Sequence, residues 1–182
     1  MKAVIFIEYG TEITEFFAPI DILHRAGVET FVIAGNHYAN NLNLITKVVD
    51  SSKTDYEIPN DADVIILPGG KLGVNKLLEF AEYYKNKLIN HFNEGKLVAA
   101  ICAAPSVLGE LGLLKRKKYT CYPGWESDSF NGTYTGKEVE ISGNIITARS
   151  MYYSTDFGLA IVEYLLGKNK RIEIENQVKG IQ

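Results

Sequence analysis

Short, continuously apolar runs separated by longer amphipathic segments constrain this chain more than any other feature. Ala3–Ile7, Val28–Ala34, Val64–Leu67, Leu97–Ile101 and Ile145–Ala148 are rich in valine and isoleucine and read as strands. A strand that is apolar at nearly every position needs cover on both faces, which calls for parallel strands joined by helical crossovers. The intervening segments supply them. Glu15–Ala26, Asn75–Asn93 and Ala104–Leu111 carry helical spacing; within Asn75–Asn93, Leu77, Leu78, Ala81, Tyr84, Leu88 and Phe92 fall on one side. Gly27 and Gly95 stand where helix C-caps belong. Thr155–Leu166 reads as a last crossover-type helix, followed by Gly167 and a charged tail to Gln182 that forms one more. The segment Tyr119–Gly143 breaks the rhythm. Its Pro123-Gly124, Asn131-Gly132 and alternating Tyr134, Val139 and Ile141 predict a loop and a small appended hairpin. The fold class is therefore α/β, a doubly wound and mostly parallel sheet with helices on both faces. Such sheets bind ligands beyond the carboxyl ends of their strands.

A chain of 182 residues fits one domain spanning 1–182 with a sizeable core. A net charge of −3 gives no general attraction to nucleic acid or to an anionic membrane. The run Lys115-Arg116-Lys117-Lys118 follows a helical pattern and reads as a solvated turn at a helix C-terminus rather than a phosphate-binding patch. Two cysteines, Cys102 and Cys121, do not make a secreted disulfide framework. The apolar run at the N-terminus is too short for a signal-peptide core, and no stretch approaches a membrane span. The expectation is a cytoplasmic, reducing compartment. No clustered spacing of His, Cys or Asp implies a metal.

The stretch Leu97–Pro105 carries the most chemistry. An apolar strand ends at Cys102, and Pro105 opens a helix at a position where its missing N–H costs nothing. Ala100 and Ala104 keep the neighbourhood small, as a sharp strand-to-helix turn demands. The arrangement parallels a nucleophile elbow with cysteine as nucleophile, and a helix N-terminus behind it favours the thiolate. The competing reading is a small buried hydrophobe, which suits most lone cysteines but not one at a strand end.

A second strand, Val64–Leu67, runs into Pro68-Gly69-Gly70 at the same edge. Glycines there let backbone N–H groups point at an anion, which makes Gly70 a candidate oxyanion donor; an ordinary strand-ending turn is the alternative. Glu15 opens the helix after the first strand. Alone it is an exposed carboxylate suited to a helix N-terminus. Brought to the Cys102 edge, an ionised carboxylate raises the thiol's pKa, whereas a protonated one donates a hydrogen bond to sulfur and shuttles a proton.

These residues together resemble the ThiJ/PfpI superfamily, in the branch of DJ-1 and its bacterial relatives. The resemblance rests on Gly10–Gly27 with Glu15 and Ala18-Pro19-Ile20-Asp21; on Leu67-Pro68-Gly69-Gly70 with Leu72-Gly73; on Ala99–Pro105; and on Ile146-Thr147-Ala148-Arg149 leading into Phe157–Glu163. It runs from about Met1 to Val178. It implies a flavodoxin-like fold and a homodimer. By position it makes Cys102 the nucleophile and oxidation-sensitive thiol, Glu15 the acid bonded to it, and Gly70 and Ala103 the surrounding backbone donors. It further implies a glyoxalase activity needing no cofactor, converting methylglyoxal or glyoxal to the hydroxy acid, or repair of glycated adducts. Gly69, Tyr122 and Arg149 are additional pocket candidates.

The sequence departs from that pattern at two places. Tyr122 stands where many members carry a histidine, and tyrosine is a poor base near neutral pH. With His24, His37 and His91 in helix or loop contexts elsewhere, a Cys-His-acid protease triad is disfavoured. Ser150-Met151-Tyr152-Tyr153 replaces the family's Gly-Pro-Gly and reshapes that wall. Arg149 either holds an anionic product or pairs with a carboxylate. Cys121 is a packed strand cysteine or a thiol that resolves an oxidised Cys102. Two functions follow: an enzyme acting on small reactive dicarbonyls, or a redox-responsive protein working through oxidation of Cys102. A peptidase or amidase is a weaker third.

Overall fold

The computed structural model describes residues 1–34, 61–79 and 82–181. Strands β1 (Lys2–Ile7), β2 (Glu29–Ala34), β3 (Val64–Leu67), β4 (Leu97–Ile101), β7 (Val139–Ser142) and β8 (Ile145–Ala148) form a six-stranded sheet in the order β2-β1-β3-β4-β8-β7. All pairs are parallel except β7 with β8. The apolar runs form these strands because both faces are covered: β3, β4 and β8 are buried at every position. Helices α1 (Ile13–Arg25), α5 (Ser154–Leu166) and α6 (Lys168–Lys179) close one face around Phe16, Leu23, Phe157 and Ile161. Helices α2 (Lys71–Leu78), α3 (Glu82–Asn93) and α4 (Pro105–Glu110) close the other around Leu77, Leu88, Leu108 and Leu114. This is the flavodoxin-like arrangement of a doubly wound sheet, with its switch point between β1 and β3.

The glycine caps fall where the sequence puts them. Gly27 lies at φ 78° after α1, its N–H donating to the His24 carbonyl at 3.0 Å while Val28 N–H donates to Leu23 at 2.9 Å. Gly158 serves a different purpose: a Cβ there would come within 3.0 Å of Ile22 and 3.1 Å of Pro19, so its absence lets α5 approach α1.

Several boundaries need correction. Asn75–Asn93 is not one helix: α2 starts earlier, at Lys71, and ends at Leu78, where Glu79 N–H is shared between the Asn75 and Lys76 carbonyls. A tightened last turn of that kind closes a helix. Ala81, part of the expected apolar face, lies outside the described residues, as does His37. The hairpin is also paired differently. Val139–Ser142 turns back onto β8 and extends the main sheet, whereas β6 (Thr133–Tyr134) runs parallel to β5 (Lys118–Tyr119) in a separate two-stranded sheet. Asn131, at φ 53°, ends a 3-10 turn over Asp128–Phe130 instead of making a hairpin turn. Cys121 belongs to no strand; it is fully buried, with its thiol 3.9 Å from Glu126 Oε2. The basic run starts in the turn after α4, with Lys115 and Arg116 exposed and Lys117 Nζ 5.5 Å from the centre of the Phe92 ring, and ends at Lys118 in β5. Among the described residues no helix is long and apolar enough to cross a membrane.

Candidate active site

The carboxyl ends of β1, β3 and β4 meet at the switch point, and each contributes one part of the site. Immediately after β4, Cys102 adopts φ 63°, a left-handed conformation that a non-glycine residue holds at a cost of about 1 kcal/mol. Strand β8 on one side and the loop at Tyr122 on the other hold it there. Cys102 N–H donates to the Ala148 carbonyl at 2.9 Å, and the Cys102 carbonyl accepts from Tyr122 N–H at 2.7 Å. Ala103 and Ala104 are buried behind it, so larger side chains would not fit the turn before Pro105 opens α4. The thiol is thus pinned at a strained turn and only partly buried.

After β3, Gly69 and Gly70 lie against both the thiol and α1. Gly69 N–H donates to Glu15 Oε2 at 2.9 Å, and the Gly69 carbonyl accepts from Glu12 N–H at 3.1 Å. A Cβ on Gly69 would stand 2.5 Å from Glu15 Oε2, 2.7 Å from Cys102 Cβ and 2.8 Å from the Ile101 carbonyl oxygen. Gly70 lies at φ 99°, where a Cβ would collide with the Gly10 carbonyl. The two glycines are required by this close approach. The Gly70 and Ala103 N–H groups lie near enough to the Cys102 thiol to favour its charged form.

Glu15 sits in the first turn of α1 and is completely buried. Its carboxyl group adjoins Cys102 across Gly69, close enough for each group to shift the other's titration, while Oε1 has no hydrogen-bond partner. Pro19, four residues on, withholds the N–H that would have bonded the Glu15 carbonyl within the helix. Burial pushes the Glu15 carboxyl up to about 7, with a further push from Glu12; the thiol and the Gly69 N–H act against it.

The expectation of a thiol acidified by the helix N-terminus is not met. Burial first, and then the charge and hydrogen bond of Glu15, push Cys102 up to about 12, and the Ala103 and Gly70 N–H groups only partly offset this. The two groups titrate as one unit. While Glu15 keeps its proton, its two contributions to the rise in the thiol vanish.

Cys102, Glu15, Gly69, Gly70 and Ala103 therefore come together. Tyr122 joins them through its backbone; its ring is half exposed. Arg149 does not join them. Its guanidinium donates from Nη1 to the Gly136 carbonyl at 3.0 Å and from Nη2 to the Tyr153 hydroxyl, stacks 4.9 Å from the Tyr153 ring centre, and lines a different cleft. His24 and His91 lie at the opposite, amino-terminal edge of the sheet, bonded to the Thr30 hydroxyl and the Leu97 carbonyl. The sequence places Ala148 in a motif and Tyr153 in a reshaped wall, but not the bond from Cys102 N–H to the Ala148 carbonyl or the contact of Tyr153 with Arg149. A backbone carbonyl leaves no residue-type signature, and the Tyr153 contact is legible only once Arg149 is placed. Among the described residues, no three His, Cys, Asp or Glu side chains converge as a metal-binding group.

Comparison with known proteins adds to this geometry. A family model described as the DJ-1/PfpI family matches residues 1–164. The chain is 33% identical over 184 residues to the Parkinson disease protein 7 homolog of Danio rerio, covering 98% of this chain and 95% of that one. It is 31% identical over 160 residues to a protein of Pyrococcus abyssi named as a deglycase, covering 82% of this chain and 90% of the other. The crystal structure of Drosophila melanogaster DJ-1beta superposes with a TM-score of 0.78 at 28% identity, covering 100% of this chain and 98% of that one. Against the DJ-1 homolog B of Arabidopsis thaliana, at 33% identity, the chain spans 40% of the relative's length.

Proposed function

Since the chain belongs to the DJ-1/PfpI family, we propose that it is a cysteine-dependent enzyme of the glyoxalase or deglycase type, acting on small reactive dicarbonyls or their adducts. One observation carries this reading. The fully buried Glu15 carboxyl, pushed up to about 7 by burial, adjoins the Cys102 thiol at a strained strand-to-helix turn. Such a group gives up and regains a proton near neutral pH, which the rearrangement of a dicarbonyl to a hydroxy acid requires. The relative named as a deglycase supports the same class.

With methylglyoxal, the Cys102 sulfur adds to the aldehyde carbon as the thiol proton passes to the Glu15 carboxylate. Glu15 then returns that proton to the new alkoxide, leaving a neutral hemithioacetal. As a carboxylate it next removes the hydrogen from the former aldehyde carbon and delivers it to the neighbouring carbonyl carbon through an enediol. The product is a lactoyl thioester. Water cleaves it, releasing lactate and a proton and restoring the thiol, so the net reaction is methylglyoxal plus water to lactate plus a proton. The Gly70 and Ala103 N–H groups hold negative charge at sulfur in the addition and cleavage steps. We place the protein in the cytoplasm as a homodimer; Tyr9, Ile13, Leu72, Met151 and Tyr152 are exposed apolar side chains on loops and helix starts at this edge of the sheet, a surface a second copy would cover.

The test is lactate formation from methylglyoxal. Cys102→Ala is expected to lower turnover by about 10³-fold or more, and Glu15→Gln by about 10²-fold. Wild-type protein turning over no faster than Cys102→Ala would end this reading.

A further inference from the structure

Between the β7–β8 hairpin and helices α5 and α6 lies an open cleft of about 570 Å³, and no residue of the thiol site lines it. Its charges are unevenly satisfied. Arg171 pairs with Glu163 at 3.7 Å and with Glu175 at 3.2 Å, and Lys137 pairs with Glu140 at 3.1 Å. Arg149, Glu138 and Asp156 line the same cleft and have no ion-pair partner among the described residues. Arg149 is half-buried and immobilised entirely by neutral groups, the Gly136 carbonyl and the Tyr153 hydroxyl and ring. Those bonds fix its plane and leave its charge unneutralised and most of its N–H donors free. Glu138 and Asp156 are exposed at the cleft, one just before β7 and one in the first turn of α5. Val139, Ile141 and Ala160 give the cleft apolar surface.

We propose that this cleft is a second small-molecule site that takes a zwitterion of the amino-acid type. The ligand's carboxylate docks on the Arg149 guanidinium, its ammonium group faces Glu138 and Asp156, and its aliphatic middle lies over Val139, Ile141 and Ala160. A plain anion would meet two unpaired carboxylates, and a plain cation would meet a fixed guanidinium; a molecule bearing both charges satisfies each side. The preformed guanidinium lowers the ordering cost of binding.

Backbone-amide NMR titration with 4-aminobutanoate, 6-aminohexanoate, hexanoate and hexylammonium tests this on the full chain. At least one of the two amino acids is expected to give saturable shifts clustered at Gly136–Ile141, Arg149, Asp156–Glu163 and Arg171. Hexanoate and hexylammonium bind about tenfold more weakly, as loss of one charge-assisted contact implies. Arg149→Gln weakens the zwitterion about tenfold or more. Because Arg149 also ties Gly136 to Tyr153, Asp156→Asn, at an exposed position, supplies the decisive second variant. It is expected to weaken the zwitterion severalfold and to strengthen hexanoate. Absence of saturable shifts with both amino acids, equal binding of hexanoate, or no effect of Asp156→Asn would each overturn the proposal.

Discussion

Replacing Glu15 with glutamine is expected to make the folded protein more stable at pH 8 while leaving its stability near pH 5 almost unchanged. The ordinary carboxyl value is 4.5, and burial raises Glu15 to about 7 in the folded chain. Between these values the folded state holds a proton that the unfolded state has released. The contribution is therefore complete below 4.5 and is lost as pH rises through 7. For this single group the wild type should lose roughly 2–3 kcal/mol between about pH 5 and about pH 8. Glutamine keeps the shape and can still accept the Gly69 N–H, but it has no proton to lose. Urea unfolding at several pH values checks this: the wild-type slope flattens in Glu15→Gln. An unchanged slope would mean that the buried carboxyl is not what titrates.

The second large effect is at Gly69. Its missing side chain leaves room for three groups at once: Glu15 Oε2, Cys102 Cβ and the Ile101 carbonyl oxygen, at 2.5, 2.7 and 2.8 Å from where a Cβ would stand. One of these is backbone and the others are fixed by burial or by the strained turn, so none can yield cheaply. Gly69→Ala is expected to destabilise the fold by about 3 kcal/mol and to separate the thiol from its acid. Denaturant midpoints measure the first effect and Cys102 alkylation the second. A variant within about 0.5 kcal/mol of wild type would show that the turn is softer than the contacts imply.

Much of this was legible in the sequence, for identifiable reasons. β3, β4 and β8 have the expected bounds because runs that are apolar, or apolar but for Thr147, leave a strand no alternative environment. The Cys102 turn was legible because Pro105 and the small alanines mark a strand-to-helix junction. What sequence could not supply is pairing and burial. Asn131-Gly132 has the composition of a hairpin turn, yet Asn131 ends a 3-10 turn, and a Cβ on Gly132 would stand 2.7 Å from the Leu114 carbonyl oxygen. The thiol's acidity went astray for a related reason. A helix N-terminus can be read from residues, but burial of the thiol and the nearby Glu15 charge are tertiary properties, and they outweigh it, burial most of all. Arg149 posed the same problem: its partners, a carbonyl and a tyrosine hydroxyl, are visible only when the hairpin is folded beside α5.

The central claim is that Cys102 and Glu15 titrate as a pair and share one proton once the pH has passed about 7. Once the pair has released its first proton, the remaining one divides between sulfur and carboxyl in a ratio that pH does not change. The rate of Cys102 alkylation should therefore rise through about 7, level off, and rise again only towards about 12. In Glu15→Gln the two steps should collapse into one. A wild-type profile with a single rise near the ordinary thiol value of 9.0, unmoved by Glu15→Gln, would contradict the account.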